Sequence, residues 1–244
     1  MTTTYKNIFS ISLLAALAFF SFLMLRIIYV YIPMQTDVAF LQLKQQYIHI
    51  TEWRIAFFVH VFSSLLVLFA GFTQFSKKIL KQRPKLHRAL GYIYVTDVLL
   101  VTGPAGLLMS FYANGGISSR IGFVLLSVLW IVFTGMAFYK AIKKQFAAHR
   151  IFMIRSFALT LSAISLRLWK VVLANFTDIP PMDRYRIIAW LGWTLNLLIA
   201  EWIIYQYFKK KKTRLQNLVH STDSNGERLS EPKMFYVTEK KIKE

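Results

Sequence analysis

Apolar residues gather in long uninterrupted runs, at residues 8–32, 55–76, 88–111, 120–141, 150–174 and 186–208, with short polar connectors between them. A helix needs about 20 apolar residues to cross the hydrocarbon of a bilayer. Lipid cannot satisfy an open backbone, so each run must pair its own N–H and C=O groups as an α-helix. Surface helices of soluble domains carry one polar face, and most of these runs lack one. The pattern predicts an all-α fold, a polytopic transmembrane bundle of about six spans over residues 1–208. Residues 209–244, rich in Lys, Ser, Asn and Glu, read as a basic and flexible tail. The first run, Ile8 to Ile32, exceeds the roughly 7–15 residues of a signal-peptide core, and no small-x-small cleavage site follows it. It reads as a retained anchor.

The connectors sort by charge. Lys77, Lys78, Lys81, Arg83, Lys85 and Arg88 fill the second linker, and Lys140, Lys143, Lys144 and Arg150 the fourth, with no acid in either. Lys209, Lys210, Lys211, Lys212 and Arg214 follow the last run. The alternate linkers, 33–54, 112–119 and 175–185, are neutral or mixed. Positive charge collects on the cytoplasmic side of membrane proteins, so both termini are expected in the cytoplasm. Lys209 to Lys212 would then meet anionic headgroups, each charge contributing about 1 kcal/mol near such a surface.

Composition sharpens this reading. Hydrophobic residues make up 56% of the 244 and charged residues only 17%, against roughly 45–50% and about 25% in soluble domains. The net charge of +19 would suggest nucleic acid if it were spread over a surface, but its confinement to alternate linkers argues against that partner. There is no cysteine, which excludes disulfides, zinc–thiolate sites and Cys nucleophiles. No metal site is expected.

An ionisable residue inside a span costs at least about 2.5–3.5 kcal/mol at the bilayer centre. His60, Asp97, Arg155, Arg167 and Glu201 therefore form a candidate intramembrane polar site. Rise along the helices puts His60 and Arg167 at a similar outer depth and Asp97, Arg155 and Glu201 in the inner half. Either acid could neutralise Arg155, and a charge pair that fixes helix register would explain that arginine as well as a relay would. At 100° per residue, His60, Ser64, Gly71 and Gln74 share one side of span two. His87, Gly91, Tyr94 and Ala105 share a side of span three, and His149, Ser156, Thr160 and Arg167 a side of span five. Small and polar stripes of this kind face other helices rather than lipid. Pro104, between Gly103 and Gly106, should kink span three.

A second candidate is the repeated pair His87-Arg88 and His149-Arg150, each at the cytoplasmic entrance of a span. Two imidazoles from facing helices could ligate a b-type haem, with Arg88 and Arg150 suited to its propionates. His60 has no histidine counterpart on span four, so a second haem is not expected. Haem b is the one cofactor the residues suggest.

Three stretches bear a further likeness. These are Phe57-Phe58-Val59-His60 through Gly71-Phe72-Thr73-Gln74-Phe75, Pro84-Lys85-Leu86-His87-Arg88-Ala89-Leu90-Gly91-Tyr92-Ile93-Tyr94, and His149-Arg150-Ile151-Phe152-Met153-Ile154-Arg155-Ser156 through Leu166-Arg167-Leu168-Trp169. Over about residues 55–170 the chain resembles a bacterial family of predicted membrane proteins, domain of unknown function 2306 (DUF2306). The resemblance implies a multi-pass protein of a bacterial plasma membrane in which His60, His87, Arg88, His149, Arg150, Arg155 and Arg167 match the pattern; it implies no activity. The helix arrangement is also loosely similar to that of the four-helix diheme cytochromes of the b561 type, from which this chain departs in having too few paired histidines. Three functions stay open: transport or proton and small-molecule handling at the polar site, electron transfer through haem at His87 and His149, and a non-catalytic scaffold. No Ser-His-Asp arrangement favours a hydrolase.

Overall fold

The computed structural model describes residues 19–222, and every regular element among them is helical. A short apolar helix, α1 (Phe19–Tyr29), precedes a 3-10 helix over Ala39–Tyr47. Then come α2 (Thr51–Gln74), the short α3 (Lys77–Gln82), α4 (Pro84–Asp97), a π-helical turn over Val98–Thr102 and α5 (Gly103–Ser110). Completing the chain are α6 (Ile117–Ile142), α7 (Phe146–Thr160), α8 (Ser162–Phe176) and α9 (Pro181–Thr222).

Five stretches are long and apolar enough to cross a membrane: α2, α4 to α5 as one unit, α6, α7 to α8 as one unit, and α9 as far as Lys210. Of the first expected run, 19–32 fall within the described residues and are helical over α1; 8–18 lie outside them. The other five runs match these helices one for one, but each helix starts three to five residues before its apolar run. The reason is physical. Apolar residues mark the hydrocarbon, whereas helix continues through the headgroup layer, where polar side chains cost nothing. Two of the early starts carry Pro at the first helical position, Pro84 and Pro181, where a missing N–H is harmless. α9 likewise stays helical past Lys209 to Thr222, and the rest of the expected tail lies outside the described residues.

The helices pack around one buried cluster containing Val67, Tyr94, Trp130, Phe157 and Trp193, drawn from all five spans. Close approach depends on Gly71: a Cβ there would sit 2.4 Å from the Phe157 ring. Leu66, Leu100, Val132, Phe176 and Leu198 point outward with large exposed areas on different helices. A water-soluble protein rarely exposes so much apolar surface; on a bilayer protein this is the lipid face.

Spans three and five are both interrupted near their middles. In span three Pro104 offers no N–H, and the turn before it widens so that the Gly103 N–H reaches the Val98 carbonyl, the i→i+5 bond of a π-helix. A Cβ on Gly103 would lie 2.2 Å from that oxygen, so only glycine closes the turn. In span five the break falls at Leu161, between α7 and α8.

At the end of the bundle away from the basic linkers, Lys44 ties two connections together. It is 2% exposed. Its ammonium donates to the Tyr112 carbonyl and, at 2.7 Å, to Asn114 Oδ1. It also lies 5.7 Å and 5.2 Å from the Phe40 and Tyr47 ring centres. Burial, helped by the positive charge of Arg120, lowers its pKa to about 8.

Candidate functional site

The residues that the sequence sets apart fall into four groups in the folded protein.

The first group surrounds the π turn. Asp97, the last residue of α4, is 9% exposed. Its Oδ1 accepts a 2.5 Å hydrogen bond from Thr102 Oγ1, and Ser63 Oγ of α2 lies 2.6 Å from that same threonine oxygen. Ser63 is also 2.7 Å from the Val59 carbonyl. Next to it, His60 Nδ1 donates to the Thr102 carbonyl at 2.9 Å. The ring lies against Gly106, where a Cβ would come within 2.9 Å of Cε1. Residues five apart lie on different sides of an α-helix; the widened turn is what brings Thr102 onto Asp97. The expectation that Asp97 could neutralise Arg155 is thus replaced by a pairing with hydroxyls of spans two and three.

Arg167 of α8 lies within electrostatic reach of His60. His60 stands nine residues after Thr51 and Arg167 nine before Phe176, so the two share a depth from the same end of the bundle. Arg167 donates to the Ala163 carbonyl of its own helix at 2.6 Å. The break at Leu161 falls between Arg167, on α8, and the α7 residues Ser156 and Thr160.

The second group is a closed hydroxyl cluster at the centre of the bundle. Tyr94 is 0% exposed, and its hydroxyl lies 2.7 Å from both Ser156 Oγ and Thr160 Oγ1. Trp130 Nε1 donates to Thr160 Oγ1 at 3.0 Å, and Thr134 Oγ1 lies 2.7 Å from Ser156 Oγ. Each of these polar atoms has a partner, and spans three, four and five are stitched together through them.

The third group is at the basic end. His149 Nδ1 donates to the Ala137 carbonyl of α6 at 2.9 Å. His87 Nδ1 is buried without a hydrogen-bond partner among the described residues. Arg150 stacks over Tyr207, 4.5 Å from the ring centre, and Arg88 is exposed. The adjoining interior is filled. Gln74 donates to the His87 carbonyl and lies against Gly91, and Phe157 lies between Gly71 and Phe75.

The fourth group is an ion pair on the flank of the bundle. Arg155 of α7 holds Glu201 of α9 through two bonds, Nε–Oε1 at 2.5 Å and Nη2–Oε2 at 2.9 Å. Their side chains are 25% and 49% exposed, with the guanidinium over Phe133 and Phe152. Among the described residues no three His, Cys, Asp or Glu side chains converge as metal ligands would.

Sequence reasoning missed Thr102, Ser63, Trp130 and Thr134. Hydroxyls and indoles are common in apolar runs, and only the Gly103-Pro104 step signalled that the register near Thr102 would shift.

These elements define a helical, multi-pass membrane protein with hydrogen-bonded polar clusters inside its bundle and an ion pair on its flank. The model of a family described as "Predicted membrane protein (DUF2306)" matches residues 57–204, and the chain belongs to that family. The match reaches beyond the resemblance at 55–170 to take in most of the last span, while α1 and the Lys44 segment precede it. No curated protein and no solved structure matches the chain.

Proposed function

We propose that this protein handles protons within the membrane, as part of a transport cycle centred on Asp97, Thr102, Ser63 and His60. One observation carries the reading: the Asp97–Thr102–Ser63 chain satisfies its hydrogen bonds with the carboxyl in either protonation state. When Asp97 is ionised, Thr102 donates to it and Ser63 donates to Thr102. When Asp97 is protonated, its O–H donates to Thr102, Thr102 to Ser63, and Ser63 to the Val59 carbonyl. The two arrangements differ only in hydroxyl hydrogens and one proton, with the distances of 2.5–2.7 Å unchanged. A carboxylate paired with arginine would resist protonation. This one is not so paired.

Two features support the reading further. Intramembrane acids mark proton and ion pathways, and transporters place their sites where spans are broken near the midplane. Spans three and five are both broken, and the acid sits at the first break. By the positive-inside rule, the end bearing Lys77–Arg88 and Lys140–Arg150 faces the cytoplasm of a bacterial plasma membrane, with Lys209 to Lys212 at anionic headgroups.

The test is proton entry into liposomes holding the full-length protein, followed with an internal pH dye under an imposed potential. Asp97→Asn should lower the protein-dependent rate by at least about a hundredfold, the usual scale for losing a proton-transfer group. Wild-type rates equal to those of empty liposomes, or an unaffected Asp97→Asn, would end the proposal.

The anchored His149 ring and the unpartnered His87 Nδ1 favour a second reading, a b-type haem between them. The side chains of Gln74, Phe75 and Phe157 would have to give way to the porphyrin. A Soret band in protein expressed with haem supplied, lost in His149→Ala, would establish it.

A further inference from the structure

We propose that span five carries a conditional hinge at Leu161, clasped by Asn196 of α9, about which α8 swings while α7 stays fixed; this rests on the transport reading and names the part that moves.

The break at Leu161 has no covalent cause. In span three Pro104 lacks an N–H, so that interruption is permanent. From Phe157 to Ile164 there is neither proline nor glycine, and every residue has an N–H to give. Leu161 itself stays right-handed, with φ −65° and ψ −12°, about 30° in ψ from an ideal α-helix. Helices also bend where a side chain enters the ladder of backbone bonds, and one does so here. The bonds that cross the break run from the Leu161 N–H to Phe157 and from the Ile164 and Ser165 N–H groups to Leu161; none uses the Ala158 carbonyl. Asn196 uses it instead, with Nδ2 donating at 3.1 Å. A carbonyl only accepts, which fixes the nitrogen on that side. The amide oxygen accepts from Ser165 Oγ at 2.9 Å. One side chain thus holds α7 with its nitrogen and α8 with its oxygen.

The face of α9 suits the bent form. Gly192 stands one turn before Asn196, and a Cβ there would lie 2.5 Å from Leu166 Cδ2 and 3.3 Å from Leu166 Cα. Only glycine lets α8 lean so closely on α9. The other half of the span is anchored, because Ser156 and Thr160 of α7 are bonded to Tyr94, Thr134 and Trp130. Beyond that anchor α8 rests on α9 and, through Ile164, on Met24 of α1 and Leu68 of α2.

The same atoms offer a straight form. Once Asn196 lets go, the Ser162 N–H can close the ordinary helical bond to the Ala158 carbonyl four residues back. That carbonyl has a donor in either form. An exchange of donors at one acceptor makes a two-state element, the kind of part from which domain and helix movements are built. α8 has 15 residues, about 22 Å at 1.5 Å per residue. A turn through the roughly 20° that counts as a kink moves its tip by about 8 Å. The tip is at the end away from the basic linkers, so the swing changes access from that side and leaves the inner half in place.

The chain has no cysteine, which makes paired spin labels straightforward. Phe176→Cys, at the tip of α8, is combined with Ile117→Cys on α6 and separately with Ile55→Cys on α2; all three native side chains are exposed. Distances are read by electron–electron double resonance on the full chain in lipid nanodiscs, with no gradient present. Asn196→Leu keeps the bulk and removes the amide, and should shift at least one distance by about 5 Å or more. Adding Ser162→Pro removes the N–H that the straight form needs and should restore the wild-type distances. Gly192→Ala should shift them in the same direction as Asn196→Leu, and its distances decide if Asn196→Leu does not fold. Unmoved distances in Asn196→Leu would overturn the proposal. The bend would then belong to span five alone, where the Thr160 hydroxyl bonded back to the Ser156 carbonyl already favours curvature. A shift that Ser162→Pro fails to reverse would overturn it as well, as a sign of loosened packing. In the liposome assay Asn196→Leu and Ser162→Pro should each slow proton entry at least about tenfold, one by losing the bent form and the other the straight form. Wild-type proton entry in both variants would overturn the hinge as part of the cycle. Distances that respond as stated, with no proton entry in the wild type, would keep the hinge and remove the transport reading. Proton entry with unmoved distances would do the reverse.

Discussion

The hydroxyl of Tyr94 on α4 reaches across the bundle to lie 2.7 Å from Ser156 Oγ on α7, in a place where neither residue is exposed at all. That contact joins spans three and five, whose backbones approach little at this level. The π turn begins four residues further along the span, at Val98. Tyr94→Phe removes one hydroxyl from a cluster whose other members keep partners, since Trp130 still serves Thr160 and Thr134 still serves Ser156. Interhelical hydrogen bonds in membranes contribute about 0.6 kcal/mol on average and up to about 1.7. A loss of about 1 kcal/mol in reversible unfolding in detergent is expected, with proton flux unchanged. A loss of flux at undiminished stability would move the functional centre from Asp97 to Tyr94.

Gly106 holds His60 against α5. Gly106→Ala would put a methyl carbon 2.9 Å from Cε1 and 3.0 Å from Nδ1, so the ring must swing off the Thr102 carbonyl. Overpacking of this kind costs about 1–3 kcal/mol. The variant should fold, with a lower Tm and slower proton entry. Wild-type proton entry in Gly106→Ala would mean that His60 need not be held by Thr102.

Lys44 gives a pH signature at the other end of the chain's chemistry. Burial holds its folded pKa at about 8, below the ordinary lysine value of 10.5. Between those values the unfolded chain binds more protons than the folded one, so stability rises with pH. The gain is complete above about pH 10.5 and is lost as pH falls through about 8. Melting of the wild type between pH 7.5 and 10.5 should therefore climb relative to Lys44→Met, which has nothing to titrate there. Parallel curves for the two proteins would show that the ammonium is solvated rather than enclosed by Phe40, Tyr47 and Tyr112.

How much of this was legible in the sequence varies with how local the cause is. Lipid acts on each run separately, so the five long spans were readable from apolar length alone. The stripe His60, Ser64, Gly71, Gln74 was readable too, because α2 is unbroken and 100° per residue holds along it. The same arithmetic failed wherever a helix changes register. It hid the Asp97–Thr102 bond behind a π turn. Lys44 was beyond any local rule, since its partners Tyr112 and Asn114 lie 68 and 70 residues away. Charge counting recorded it as one more loop lysine.

The Arg155–Glu201 pair tests whether a charge pair on the lipid flank has any role besides register. Both side chains keep exposed area, at 25% and 49%, with aromatic rings of Phe133 and Phe152 beneath the guanidinium. In the membrane that exposed area meets hydrocarbon, so each charge depends on the other. Glu201→Gln leaves Arg155 with a neutral acceptor and an unmatched charge, a cost on the order of 2–3 kcal/mol by insertion scales. Replacing both partners by leucine removes the problem along with the pair, and such replacements are often neutral or stabilising. Unfolding in detergent or bicelles should thus rank the double variant Arg155→Leu/Glu201→Leu near wild type and both single variants well below it. Proton entry should be the same for the double variant and wild type, because Asp97 and His60 make no contact with either residue. If the double variant folds well and yet passes no protons, the pair belongs to the pathway, and the site must extend from the π turn across α7 to the face of α9.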